Sequence, residues 1–231
     1  MENTFIAQLV RVSRVYLQGN IEVRAVDNLD LAIRPGEFSA LCGPSGSGKT
    51  TILNMIGALD MATSGEVFLE GRDLSGLGRG ELSRLRRDRV GFVFQAYNLV
   101  PVLTAYENAE FVLALQNVPP AERRERVMAV LEEVGMADYI ERRPDELSGG
   151  QQQRVAIARA VVSEPAVVLA DEPTANVDSE AADTILDLME QLNREKGVTF
   201  LFSTHDQRVM SRARRLIRLR DGRLEKDETV R

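Results

Sequence analysis

The sequence predicts an α/β domain with a helical segment inserted into it, on three observations. Continuous apolar runs such as "AVVLADE" (166–172) and "VTFLFS" (198–203) suit strands buried on both faces, as in a parallel sheet. An apolar strand pattern feeds a glycine-rich turn and a helix start at "LCGPSGSGKT" (41–50). Between residues 96 and 159 the strand-like runs give way to helical spacing of apolar residues.

The elements follow in chain order. "VDNLDLAIRPGEFSALC" (26–42) reads as two strands about a Pro35–Gly36 turn, with Leu29, Leu31 and Ile33 alternating. The second strand runs into Gly43, and a helix is expected from about Lys49 to Leu59. "GEVFLEG" (65–71) and "VGFVFQ" (90–95) are two further short strands. From Thr104 to Ala160 the pattern is helical: Thr104 and Glu107 form a capping-box pair, and Val127, Val130, Leu131 and Val134 share a face that stops at Gly135. Ser148 is placed to cap another helix. The expected division is an α/β core over 1–95 and 160–231, with a helical subdomain over 96–159. The core resumes at 166–172, a helix runs from Ser179 to Lys196 with Gly197 as its stop, and "RLIRLRDGRLEKD" (215–227) turns at Asp221–Gly222.

Composition narrows the function classes. With 231 residues, 44% hydrophobic and 28% charged, the chain has an ordinary globular composition. Its longest apolar runs fall far short of the ~20 residues that cross a bilayer, and the start shows no secretory-signal pattern. A net charge of −6 argues against a general nucleic-acid binder. Seven arginines between Arg208 and Arg223 read as a solvated face. The single cysteine, Cys42, lies in an apolar strand and is expected as a packed core thiol.

The chemistry lies at strand ends. Gly43 to Thr50 fits the phosphate-loop pattern of Gly, four residues, Gly, Lys and Ser or Thr, in its strand–turn–helix context. Gly43, Pro44, Ser45, Gly46, Ser47, Gly48, Lys49, Thr50 and Thr51 are therefore the expected ATP-binding residues, their backbone N–H groups wrapping a phosphate at a positive helix end. Lys49 would reach the β- and γ-phosphates and the Thr50 hydroxyl would bind Mg²⁺. Asp171 ends a buried strand, where such sheets bind ligands, and would hold Mg²⁺ mainly through its water. Glu172 follows, placed to polarise an attacking water. The lone histidine, His205, and Gln95 also follow buried strands, so three strand ends and the phosphate loop converge.

A second glycine-rich helix start, "DELSGGQ" (145–151), is then surplus to one site. With "GPSGSGKT", Gln95, "LSGGQ" (Leu147, Ser148, Gly149, Gly150 and Gln151), "LADEPT" (170–174 with Leu169), Asp178 and His205 in this order, the chain resembles the ATP-binding cassette (ABC) family over essentially its whole length. The resemblance implies a P-loop NTPase (RecA-like) core with an N-terminal antiparallel β subdomain and an inserted helical subdomain. It implies head-to-tail dimers of two copies around ATP and Mg²⁺, in which the signature residues 147–151 of one copy face the phosphate loop of the other. It further implies that Tyr16 stacks on adenine, a tyrosine ending a strand being the plain alternative. Gln95 would contact Mg²⁺ and the attacking water, Asp178 would lie in the interface-crossing loop, and His205 would contact the γ-phosphate. Ala175 and Val177 stand where close relatives usually carry Gly and Leu, which bears on that loop.

The stretch 91–115 looks like the branch of lipoprotein-release, macrolide-exporter and cell-division ATPases. That resemblance implies an integral-membrane permease as partner, no nucleic acid, and a place on the cytoplasmic face of the inner membrane. Tyr97, Leu99, Val100, Val102, Leu103 and Tyr106 are candidates for a groove that takes a short permease helix. A non-transport ABC ATPase and a binding module without turnover are the other classes; Glu172 speaks against the second.

Overall fold

A computed structural model describes residues 5–19 and 21–230. Two sheets share one apolar layer, and helices cover the far side of the larger sheet. The smaller sheet is antiparallel, in the order β2 (Ile21–Ile33), β1 (Ala7–Gln18), β4 (Ser64–Leu69), β5 (Arg72–Asp73). The larger has six strands, in the order β10 (Arg223–Thr229), β9 (Arg215–Arg220), β3 (Phe38–Cys42), β8 (Phe200–Thr204), β7 (Val167–Asp171), β6 (Val90–Val93). All its pairings are parallel except β9 with β10, which close on the Asp221–Gly222 turn.

Alternation within the central strands builds two cores. Phe38, Ala40 and Cys42 of β3, Val168 and Ala170 of β7, and Phe200 and Phe202 of β8 face the helical side. Leu41, Val167, Leu169 and Leu201 face the small sheet and helix α1 (Lys49–Ile56). Each Val, Leu or Phe among them, fully buried, contributes about 1.5–3 kcal/mol. Phe38 meets Phe200 and Phe202 edge-on, at 5.7 and 4.7 Å between ring centres, a geometry worth about 0.5–1.5 kcal/mol per pair beyond burial. This core fixes the strand ends that carry the site.

Between β6 and β7 run α3 (Ala105–Leu115), α4 (Pro120–Glu133) and α5 (Gly149–Val161), with short 3₁₀ turns before α5. Thr104 Oγ1 accepts from Glu107 N at 3.2 Å while Glu107 Oε2 accepts from Thr104 N at 2.8 Å, so α3 starts on a closed capping box. The buried Asn108 donates to the carbonyls of Val100, Leu103 and Thr104 and accepts from Val100 N, wrapping the preceding loop around itself. α6 (Ser179–Lys196) starts where Asp178 Oδ1 accepts from Ala181 N at 2.8 Å, and its C-cap Gly197 is left-handed.

The structure departs from the sequence expectation in places. The helix after the phosphate loop ends at Ile56 rather than near Leu59, and β6 ends at Val93, leaving Phe94 and Gln95 beyond the strand. β1, α2 (Arg79–Arg89) and α7 (Gln207–Arg212) were not marked individually by pattern. β1 buries Ala7, Leu9 and Val12, a spacing that slips because the register shifts between Leu9 and Val12, with Arg11 at φ 47°. α2 buries only Leu82 and Leu85, too few to show a period, and α7 has six residues.

Candidate active site

The C-terminal ends of β3, β7 and β8 open onto one cleft of about 730 Å³. Residues 44–51, Gln95, Asp171, Glu172, Ser203 and His205 line it, with Val23, Arg24 and Ala25 of β2 as its rim. Such a position, outside the carboxyl ends of parallel strands, is where open α/β sheets take ligands.

The loop is shaped by close approach. Gly48, the N-cap of α1, sits at φ 98°, and a Cβ there would lie 2.4 Å from the Ala25 carbonyl oxygen. Only glycine meets both demands. No side chain caps α1, so its first N–H groups are left for an anion. Lys49, 8% exposed, donates to the Gly43 and Pro44 carbonyls at 2.9 and 3.0 Å, which holds the ammonium against the loop.

Opposite the loop, Thr50 Oγ1 donates to Asp171, both of whose carboxylate oxygens lie 3.2 Å away. Glu172 occupies a left-handed backbone position, φ 47°, unusual for a residue with a side chain. Its N–H donates to Ser203 O at 2.9 Å, and its Oε2 accepts from Thr204 Oγ1 at 3.0 Å. Its Oε1 lies 2.6 Å from His205 Nδ1, and the imidazole is largely exposed over the cleft. Ser47 Oγ and Ser203 Oγ, both buried in the cleft wall, lack protein partners.

Hydroxyl and carboxylate oxygens are hard donors of the kind Mg²⁺ takes, and Thr50 with Asp171 leaves most positions for water and phosphate oxygen, as Mg²⁺ sites on nucleotides do. No group of three acidic, histidine or cysteine ligands exists among the described residues, which agrees with a metal held jointly with a phosphate rather than by a protein cage. The donor set fits.

Gln95 is exposed and lines the cleft, and its carbonyl accepts from Asn176 Nδ2 at 2.9 Å. Tyr16 does not line the cleft. It pairs across strands with Val23, which does; its hydroxyl donates to Asp60 at 2.5 Å, and Arg14 lies over its ring at 4.5 Å. Asp178 is exposed at the start of α6, away from the cleft lining.

None of Leu147–Gln151 lines the cleft either. Leu147 is buried, and Ser148 and Gln151 close a capping box on α5: Ser148 Oγ accepts from Gln151 N at 3.3 Å and Gln151 Oε1 from Ser148 N at 2.9 Å. Gly149 and Gly150 are half-buried at the surface beside the α6 start, where a Cβ on Gly150 would be 3.0 Å from Ala181 Cβ.

Some participants carry no sequence signal. Arg159, in the last turn of α5, donates to the Tyr97 and Asn98 carbonyls, and burial pushes its guanidinium pKa down. Asn176 ties the loop after β7 to Gln95. Neither spacing nor residue type distinguishes these from surface polar residues. Cys42, by contrast, is buried as expected, its thiol pushed up by burial.

The model for the ABC transporter family matches residues 26–175. An uncharacterized ABC transporter ATP-binding protein of Thermotoga maritima is 43% identical over 95% of this chain and 94% of its own length. A macrolide export ATP-binding/permease protein MacB of Marinobacter nauticus is 45% identical over 96% of this chain, which spans 34% of that longer protein. Among solved structures, the ATP-binding cassette MJ0796, from Methanocaldococcus jannaschii, in a dimeric post-hydrolysis state bound to ADP and Pi, superposes with a TM-score of 0.90 at 42% identity, over 97% of this chain and 99% of that one.

Proposed function

This chain belongs to the ABC transporter family as one of its ATPase cassettes, and from that premise we propose that two copies close head-to-tail around two ATP molecules to drive a membrane permease. The observation that carries the reading is the division of labour on one surface. The phosphate loop, Thr50, Asp171, Glu172 and His205 share a cleft, while the Leu147–Gln151 helix end lies outside it. A helix end rich in glycine and lacking a site of its own suits a phosphate held by another copy.

The residues divide the chemistry as follows. The N–H groups of residues 46–51 and Lys49 hold and orient the triphosphate. Thr50, Asp171 and Gln95 would hold Mg²⁺, which when bound with ATP neutralises charge on the phosphate oxygens. Glu172 takes the proton of the attacking water, its carboxylate aimed by Thr204 and His205. His205, exposed at the cleft mouth, can also reach the γ-phosphate. Tyr16, beside Val23, is the adenine contact; Asp178 with Ala175 and Val177 forms the loop that meets the other copy. Residues 96–159 are proposed as the helical subdomain that carries Ser148, Gly149 and Gly150 to the partner's ATP.

Charge-neutral Glu172→Gln with ATP tests the reading by sedimentation. A dimer that forms with ATP and dissolves with ADP supports it; a monomer under both conditions, with ATP bound, overturns it.

The finer reading is that this chain sits at the cytoplasmic face of the inner membrane and drives an integral-membrane permease of the lipoprotein-release type. Macrolide export is a second reading, favoured by the MacB relatives, whose name joins cassette and permease in one protein. Of the six docking candidates only Val102 is strongly exposed, at 73%; Leu99 and Tyr106 pack on the core, so charge at Leu99 would probe packing instead. An apolar cavity of about 370 Å³ beside this loop, lined by Phe92, Phe94, Phe111 and Val112 and walled by Arg86 and Arg87, is the better groove for a permease helix. Phe111→Asp should abolish co-purification with its permease and leave ATP turnover of the isolated chain intact.

A further inference from the structure

Tyr97 stands two residues beyond Gln95 and outside the cleft lining, yet it touches three functional segments. Its backbone and that of Asn98 are left-handed, φ 60° and 52°, a conformation that side-chain-bearing residues keep only when neighbours hold it. Arg159 supplies that hold, donating to Tyr97 O at 2.9 Å and Asn98 O at 2.6 Å. The clasp turns the phenol inward. Its hydroxyl donates to Asn176 O at 2.7 Å, and Asn176 Nδ2 returns a bond to Gln95 O at 2.9 Å, so the two loops are linked in both directions.

The same hydroxyl lies against the first residue of α5. A Cβ on Gly149 would fall 2.7 Å from Tyr97 Oη and 3.2 Å from Asn176 O. A side chain at 149 would therefore have to displace the tyrosine hydroxyl and crowd the Asn176 carbonyl. Without the tyrosine hydroxyl, Asn176 and the N-terminus of α5 lose a polar group that touches both, while Gln153 Nε2, donating to Pro173 O at 2.6 Å, still joins α5 to the loop further on.

We propose that Tyr97 is a positioning residue whose hydroxyl ties the Gln95 loop of a chain's own ATP site to Gly149 and the 175–178 loop, the two segments offered to the partner's site. Gln95 lines the cleft that holds one ATP, while Gly149 and Asp178 serve the other, so a single side chain sets the position of one site's lining relative to the next. This rests on the shared-site reading above.

Tyr97→Phe keeps the ring and removes the tie. In the Glu172→Gln background it should weaken ATP-driven dimerisation about three- to tenfold, the range expected for the net worth of one hydrogen bond, and leave ATP affinity of the monomer unchanged. Amide exchange at Gln151 and Gln152, in the first turn of α5, should quicken several-fold in the monomer. Equal loss of monomer ATP affinity and thermal stability would mean that Tyr97 only packs the fold, and overturns the proposal. So would unchanged dimerisation, or unchanged exchange. If the parent Glu172→Gln chain binds ATP and stays monomeric, the shared-site reading fails and takes the proposed role with it; faster exchange alone then reports a local tie without that role.

Discussion

Two helix ends in this molecule are built from serine and glycine, and they are finished in opposite ways. At α1 the N-cap is Gly48, no side chain closes the turn, and Lys49, Thr50, Asp171 and Glu172 surround the open N–H groups. At α5 the N-cap is Ser148, whose hydroxyl and the Gln151 amide satisfy each other's backbone. The first end is a standing anion site. The second keeps the Gly149 and Gly150 N–H groups open but commits the Gln151 N–H to its own cap, a bond worth about 1 kcal/mol. A phosphate arriving at α5 alone gains little. It is held only when something else brings it there, and in the proposed dimer a partner's phosphate loop does that.

The largest expected effect tests the first end. Glu172→Gln leaves the cleft's shape and removes its base, so steady-state phosphate release should fall by about 10²–10⁴-fold. Turnover within a few-fold of the unchanged protein would remove Glu172 from the mechanism. Lys49→Ala together with Ser148→Arg then sets one end against the other. Each variant alone should be inactive, and a mixture should recover about a quarter of full activity if pairing is random and sites are independent. Absence of recovery in verified mixed dimers would break the assignment of the two ends to one shared site.

Backbone demands differ as well. Gly48→Ala forces a left-handed alanine against the Ala25 carbonyl and should cost about 2–3 kcal/mol in urea denaturation, with loss of ATP binding. Gly150→Ala meets only the Ala181 methyl and should cost less than about 1 kcal/mol while monomer ATP binding survives. Equal costs would erase the distinction between a strained and a relaxed cradle. Smallest of all, Cys42 ends the strand that feeds the phosphate loop, and burial holds its thiol pKa up. An aromatic disulfide reagent at pH 8 should label it only after denaturation; rapid labelling of the native chain would mean that the loop opens far more than its hydrogen bonds imply.

How much of this was legible in the sequence depends on range. Elements whose signals are local came through: α6 with its Gly197 stop, β7 and β8 as continuous apolar runs, and the Asp221–Gly222 turn. β1 did not, because its bulge at Arg11 shifts the alternation that would have marked it. In the site, residues at strand ends could be read because a strand has a known end. The His205–Glu172 contact, the Arg159 clasp and the Tyr97 hydroxyl could not, since each joins segments 33 to 79 positions apart. Tyr16 shows the limit from the other side. The resemblance offers its ring to adenine, and only the structure shows that its hydroxyl is bonded to Asp60 and that Arg14 lies over one face of that ring.

The phosphate loop also has a history in time. Its strand, β3, is central, yet both neighbours arrive late: Phe38 pairs with Phe200 and Ser39 with Arg215. The loop's own backbone waits longer still, since Gly222 N donates to Ser47 O while Asp27 N donates to Gly222 O. On a ribosome adding about 5–20 residues per second, some 10–35 s separate synthesis of Thr50 from that of Arg223. Until β8 is made, which is most of that interval, the apolar "FSALC" segment has neither of its neighbouring strands, and the phosphate loop lacks its Gly222 contact to the end. A nascent chain can therefore present the motif without the pocket. Nucleotide cannot act as an early folding template here; it can only select chains that are already nearly complete.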